Sequence, residues 1–544
     1  MRTTLFSLAL LLAACKTAGT TPPDGGGPGG PGPGPSGPGG APADVTWPDE
    51  PFRASIPDPA PIAELSLPGV ETFKLESGLE VYLVRQQKLP TVTMAFEFDV
   101  GGVRDPKAKI GMTSVCMDLL DEGTKKHDTA AFEEKQADHA VSVSSFGGSD
   151  TSGINVRALT SQLGPALDLM AEMILEPGMR QADLDRLKDA RKASLLQAKG
   201  SPQPIAGRLY GSLVWGASHP YGNIETEKTI DAITLADCQR LVGQIKPGGA
   251  RLWITGMITQ DEVRQALGSR LAAWTGKSPA PAKIAAAKPR LGTIFFVHVK
   301  DAAQSSVYVG HPGPDRDAAD YEATDMMVEI LGGSFSSRIN MNLRENKGYT
   351  YGGRAGIGYR RTGSSFSASS SVRTDATGPA LREIIKEFVT MRTTAATDAE
   401  LKRVKDGALL GLPAEFATPS DTLFAFQRLK FYGLPLDWYA GYQSRLKTVD
   451  VAAVRKAAEK HLRAQDFVVL VVGDADKVLA DLDAIAKDKL FGKGGVVVLD
   501  ADGQKTARPT LAAAPAADKP VAAKPVADKP ADKPADKPAA APAQ

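Results

Sequence analysis

Cysteine is scarce in this chain, with three among 544 residues, and histidine is little commoner, with six. One cysteine, Cys15, closes the small-residue stretch Leu12-Ala13-Ala14-Cys15, so only Cys116 and Cys238 remain for the body of the protein. Two are too few for a disulfide framework even in an oxidising compartment, and both read as buried small hydrophobes. An excess of charge of one sign is missing too. Lys and Arg number 64 against 63 Asp and Glu, a net charge of +1, which gives no attraction to nucleic acid or another polyanion. The apolar run at the amino end, Leu5 to Leu12, is too short to span a bilayer. No Gly-x-Ser-x-Gly elbow occurs, and Ser364-Ser365-Phe366-Ser367 and Ser369-Ser370-Ser371 read as positions on a strand face. A self-contained hydrolase built on these serines therefore ranks last.

What the amino end does contain is an export signal. Arg2 supplies the positive start, Leu5 to Leu12 the apolar region, and residues 12–15 a cleavage site that resembles a bacterial lipobox. Its cysteine, Cys15, would be acylated and become the first residue of the mature chain; ordinary signal cleavage and a buried apolar start are the competing readings. A lipid-anchored cell-envelope protein facing the periplasm or the cell surface is expected, and Lys16, directly after Cys15, favours the outer membrane. Residues 16–61 are dominated by Gly, Pro and Ser and read as a tether, and residues 501–544, with Asp-Lys-Pro repeats, read as a disordered spacer.

Between these ends the sequence repeats itself. The Pro/Ala/Lys-rich segment 277–292 separates a half at 62–276 from a half at 293–500. Each half opens on β-branched strands, Glu80–Val84 and Thr91–Phe96 in the first, Thr293–Val297 and Ser306–Val309 in the second. Each then enters a helix, at Gly111 and near Asp320. Each closes on a helix starting near a Thr-hydrophobic-Asp step (229–231, 448–450) and on a strand ending in glycine, Arg251–Gly256 and Phe467–Gly473. The order predicts an α+β fold of two repeated halves, each a mostly antiparallel sheet covered by helices on one face.

The run from Leu331 to Tyr351, LGGSFSSRINMNLRENKGYTY, resembles the second-half signature of the insulinase-type (pitrilysin-like, inverzincin) zinc peptidases almost residue for residue. His219-Pro220-Tyr221-Gly222 agrees less specifically. The resemblance covers residues 70 to 490 and implies two halves closing around a chamber. The family's first half carries H-x-x-E-H in a helix that opens with glycine and closes with Gly-Thr. Here the frame runs from Gly111 to Gly123-Thr124, and the motif positions hold Ser114, Met117 and Asp118. The two histidines must share one helical face to bind zinc, and the glutamate serves as general base. Serine cannot replace an imidazole, and a methionine thioether cannot take a proton. The third ligand, a glutamate expected near Leu184 to Leu196, is absent, since no glutamate occurs between Glu176 and Glu225. His127 and His139, twelve residues apart, share no turn and read as surface residues. No metal is therefore expected in this chain.

The resemblance assigns Arg344 and Tyr351 to the family's Arg/Tyr pair, which donates hydrogen bonds to the substrate carbonyl as charge builds on it. Some bacterial members work as two chains, one with the zinc motif and one with only this pair. The implied role is the second kind. A related partner with an intact H-x-x-E-H motif would hold zinc and the peptide, and this chain would supply Arg344 and Tyr351 in trans. The other reading is a non-catalytic scaffold or peptide-binding protein of the same fold.

Overall fold

Alternating apolar residues form the strands, and threonine and aspartate start many of the helices. The computed structural model describes residues 66–86 and 88–511. The lipobox, the tether at 16–61 and residues 512–544 lie outside them. The first half contains strands β1 (Glu71–Lys74), β2 (Glu80–Arg85), β3 (Thr91–Phe98), β4 (Ser142–Gly147), β5 (Ser152–Leu159) and β6 (Arg251–Gly256). Its helices are α1 (Met112–Leu120), α2 (Thr129–His139), α3 (Leu163–Leu175), α4 (Gln181–Ala198), α5 (Pro202–Trp215), α6 (Glu227–Asp231), α7 (Leu235–Val242) and α8 (Gln260–Gly268). The second half contains β7 (Thr293–His298), β8 (Gln304–Gly313), β9 (Thr350–Tyr359), β10 (Ser364–Arg373), β11 (Val468–Gly473) and β12 (Val496–Leu499). Its helices are α9 (Tyr321–Val328), α10 (Arg338–Asn340), α11 (Thr377–Thr393), α12 (Asp398–Gly411), α13 (Pro419–Phe431), α14 (Tyr442–Thr448), α15 (Val451–His461) and α16 (Ala475–Lys487).

The repeat is visible in the strand order. One six-stranded sheet runs β1-β2-β6-β3-β5-β4 and the other β12-β7-β11-β8-β10-β9. Five positions correspond, β2 to β7, β6 to β11, β3 to β8, β5 to β10 and β4 to β9. Only the outer strand beside β2 or β7 differs, β1 being antiparallel to β2 and β12 parallel to β7. Most neighbours are antiparallel, with parallel pairing confined to β2–β6, β7–β11 and β7–β12.

Each sheet is covered on both faces, which goes beyond the expected single helical layer. Phe296, Val469 and Val471 pack with Leu381, Ile384, Leu479 and Leu482 from α11 and α16 of their own half. Phe295, Val297, Val468 and Leu470 point the other way and pack with Ile205, Leu209 and Val214 of α5, from the first half. The exchange is reciprocal. Tyr82, Val84, Ala95 and Trp253 of the first sheet join the core of the second half, where α13 contributes Leu423, Phe426 and Leu429. Strand β11 is buried at every position because both its faces are covered. Gly310 on β8 carries no side chain because a Cβ there would collide with the Tyr210 hydroxyl of α5 and the Phe366 carbonyl.

Two local expectations need correction. The step Thr229-Ile230-Asp231 lies inside the short helix α6. The main closing helix, α7, begins at Leu235, capped by Thr234, whose hydroxyl accepts from the Asp237 N–H while Asp237 reaches back to the Thr234 N–H. Asp450 does cap α15, as the repeat suggested. The packed chain also extends past residue 500, since Asp502 pairs with Lys199, at the end of α4, and Arg208 of α5 at 2.7 and 3.2 Å. The serines of β10 alternate between buried and half-buried, in keeping with a strand face.

Candidate functional site

Helix α1 keeps its frame through its ends. Gly111, at φ +96°, caps the start, and a Cβ there would stand 2.7 Å from the Glu225 carboxylate. Asp105 accepts from the Gly111 and Thr113 N–H groups at 3.1 and 3.2 Å, satisfying helix donors that have no partner within the helix. Within the frame the motif positions differ from the family's. Met117 is fully buried in the first-half core, Ser114 is half-buried, and Asp118 alone carries a ligand-type group.

A guanidinium occupies the neighbourhood of Asp118. Arg191 of α4, from the window where a third ligand was expected, grips Glu225 with Nε and Nη2 at 2.9 to 3.2 Å. Burial pushes the Asp118 carboxyl up, Arg191 acts against that, and Glu225 and Glu122 add to it. Among the described residues no group of three or more His, Cys, Asp or Glu side chains could hold a metal ion. The residues present do not fit zinc, whose sites need at least three protein ligands; the cation beside Asp118 is an arginine already paired with a carboxylate. Neither Arg191 nor Glu225 was singled out from sequence, although Glu225 is the first glutamate after the empty stretch.

The motif helix is also covalently fixed. Cys116, between Ser114 and Met117, forms a disulfide with Cys238 of α7, 122 residues away. Both cysteines are buried, as expected, but they are bonded rather than free. The pairing was hidden because two cysteines far apart in sequence give no sign of meeting until α1 and α7 pack together.

The outer edge of the first sheet is closed by these same elements. Strand β4 is its edge, and a free edge offers N–H groups to an added strand. Here the Val143 N–H donates to the Gln136 side chain at 2.6 Å and the Ser145 N–H to Asp121 Oδ1 at 2.5 Å. The Ser145 hydroxyl donates to the Met117 carbonyl at 2.5 Å, and Gly147 lies against the backbone of Thr113 and Ser114. Burial raises the Asp121 carboxyl to about 7, with Ser145 opposing and Asp118 and Glu122 reinforcing the shift.

In the second half the signature run folds into α10, a π-helical turn at Met341–Asn346, and the start of β9. Arg344 leaves that turn, pairs with the adjacent Glu345 at 3.2 Å and lies 4.7 Å from the Phe335 ring centre. Tyr351 is 87% exposed, and Phe335, at 60%, and Met341 are exposed beside this segment. Tyr351 borders a polar cavity of about 300 Å³ that also reaches Gln203, Tyr308, Arg354 and Ser369. No contact joins Arg344 to Tyr351 among the described residues. Arg338 of the same run does a different job, bonding Glu400 through two nitrogens at 2.8 and 2.9 Å.

The histidines stand apart from both places. His127 faces Glu172 at 3.7 Å, and His139 shares a hydrogen bond with Gln162. His219 caps the turn at Pro220–Gly222, whose Tyr221 donates to Asp150 at 2.7 Å.

Residues 80–208 match the family described as Insulinase (Peptidase family M16), and residues 244–408 match Peptidase M16 inactive domain. A non-peptidase homologue from Helicobacter pylori is 22% identical over 72% of this chain and 90% of its own length. An uncharacterized zinc protease from Mycobacterium leprae is 22% identical over 71% of this chain and 87% of its own. Among solved structures, a peptidase M16 inactive domain from Pseudomonas fluorescens superposes with a TM-score of 0.69 at 25% identity, covering 75% of this chain and 98% of that one. With its repeated halves, its Leu331–Tyr351 run and its altered motif, the chain belongs to the insulinase family, peptidase family M16, as a homologue without that family's metal ligands.

Proposed function

We propose that this chain is the partner subunit of a two-chain peptidase, in which a related chain with an intact H-x-x-E-H motif holds the zinc and the peptide. The observation that carries this reading is the exposure of Arg344 and Tyr351 in a fold that has given up its own metal site. A phenol that is 87% exposed does little for stability, and surfaces rich in aromatic residues, Met and Arg suit protein contacts. Arg344 and Tyr351 would bind the substrate carbonyl and favour its developing charge in the reaction. The closed edge of β4 supports seating the peptide on the partner's sheet. The Cys116–Cys238 disulfide supports an oxidising compartment, in keeping with export and acylation at Cys15.

The purified chain is expected to bind no stoichiometric zinc and to cleave no peptide, and addition of a motif-bearing relative is expected to give activity. Arg344→Ala with Tyr351→Ala is expected to lower kcat/KM of the reconstituted pair by about 100-fold or more, the scale of losing a transition-state hydrogen-bond donor. Unchanged activity in that double variant would make the chain a scaffold. Chelator-sensitive hydrolysis by the chain alone would end the proposal.

A further inference from the structure

The second half contains a cavity of about 490 Å³ between α12, the end of β9 and the segment that follows α13. Its walls are unusually rich in rings. Tyr321 stands 5.9 Å from Tyr359 and 5.8 Å from Trp438, Tyr359 stands 6.3 Å from Tyr432, and Trp438 stands 5.1 Å from Tyr442. Arg316 lies among them, its guanidinium carbon 3.5 Å from the Tyr321 ring centre, 4.7 Å from Trp438 and 5.9 Å from both Tyr359 and Tyr432.

Three guanidiniums surround these rings, and two are committed. Arg428 donates to Glu415 and to the Tyr439 hydroxyl, and Arg445 donates to Glu322 at 2.6 Å and to the Trp438 carbonyl at 3.2 Å. Arg316 has no hydrogen-bond or ion-pair partner among the described residues. Asp325 stands behind the rings without bonding to it; burial, with Glu329 and Glu322, moves that carboxyl up to about 6, and Arg316 acts against the rise. The cavity mouth is kept open on the α12 side. Gly407 lies in the interior of that helix, where glycine is unfavourable, yet a Cβ there would meet nothing within 4 Å.

These features select a ligand class. An aromatic cage ordinarily attracts a cation, but here Arg316 already fills that role, so a second cation would be repelled. A planar guanidinium with free N–H groups matches a carboxylate through two parallel hydrogen bonds. Ring walls favour an aromatic group stacked or set edge-on beside them. The volume suits a small molecule or one or two residues of a chain.

We propose that this cavity binds an aromatic carboxylate, with the acid on Arg316 and the ring among Tyr359, Tyr432 and Trp438. The source is either a small free aromatic acid or the C-terminal residue of a peptide. Tyr359 and Tyr351 lie at opposite ends of β9, about 26 Å apart along the strand, so this site is independent of the Arg344/Tyr351 reading.

Calorimetric titration of the full chain with N-acetyl-phenylalanine, its amide, and a pentapeptide ending in phenylalanine as free acid or amide tests this. Both acids are expected to bind at least tenfold more tightly than their amides. Arg316→Gln is expected to remove that preference, and Gly407→Leu to weaken binding without lowering the unfolding midpoint. A peptide acid that binds tenfold more tightly than the single residue identifies a chain terminus, and the reverse order identifies a small acid. Equal affinity for acid and amide, no binding of either acid at millimolar concentration, or an unaltered preference in Arg316→Gln would overturn the proposal.

Discussion

Asp121 illustrates how one side chain can seal a strand and tie stability to pH. It accepts the Ser145 N–H from the outer edge of β4, in surroundings where burial, Asp118 and Glu122 raise its carboxyl to about 7. A carboxyl whose folded pKa lies above its unfolded value binds more protons in the folded state, so its contribution to stability falls as pH rises from about 4 to about 7. Asp121→Asn keeps an acceptor oxygen and loses the charge. Its stability relative to the parent is therefore expected to improve as pH rises, giving a larger urea midpoint difference at pH 8 than at pH 5. A difference that is the same at both values would show that Asp121 does not titrate in this way. The replacement of the two histidine ligands by Ser114 and Asp118 and of the general base by Met117 was legible in the sequence because the glycine frame fixes the register of α1. The arrival of Arg191 and Glu225 beside Asp118 was not, since it depends on how α4 packs against α1.

At the scale of elements, the disulfide and the β4 edge act on the same helix. Cys116–Cys238 ties α1 to α7, while Asp121, Met117 and Ser114 hold α1 against β4. A helix held on two sides is well suited to closing an edge and poorly suited to moving aside for a substrate strand. Cys116→Ala with Cys238→Ala is expected to lower stability by ~2–5 kcal/mol, as removal of a native disulfide commonly does. Urea unfolding of the parent with reductant should reproduce that loss, and a parent insensitive to reductant would mean that the bond is not formed in solution. The segment around Arg344 contrasts with this. Its π-helical turn and the first residues of β9 present Phe335, Met341, Arg344 and Tyr351 outward. Sequence resemblance placed the pair, but only the packing of α10 against β9 turns both side chains toward solvent.

At the scale of the whole molecule, the two halves are joined through their sheets rather than through a hinge. Each sheet is roofed by a helix from the other half, and a buried ion cluster crosses the same junction. Asp99 accepts from Arg251 of its own half and, at 2.6 Å, from Arg361 of the other. Burial would raise its carboxyl, but Arg251 and Arg361 outweigh that and hold it below the usual carboxylate range. Glu97 accepts from the Trp253 indole at 2.9 Å and from Gln427 of α13 at 3.3 Å. A body knitted this way suits the partner-subunit role proposed above. The proposed anchor is tested at this scale. Cys15→Ala is expected to move the chain from the membrane fraction to the soluble fraction, and an unchanged distribution would rule out acylation at Cys15.

The sequence by itself determined the repeat, the strands and the missing metal ligands, because strand alternation, glycine-framed helices and ligand chemistry are local properties of residue order. The tertiary structure alone decided the crossing of α5 and α13 onto each other's sheets, since an apolar helix face does not specify which sheet covers it. It also decided the Cys116–Cys238 bond, the Arg191 beside Asp118, the closed edge of β4 and the ring-lined cavity around Arg316. Each of these joins residues far apart in the chain, and their meeting depends on packing that no local pattern records.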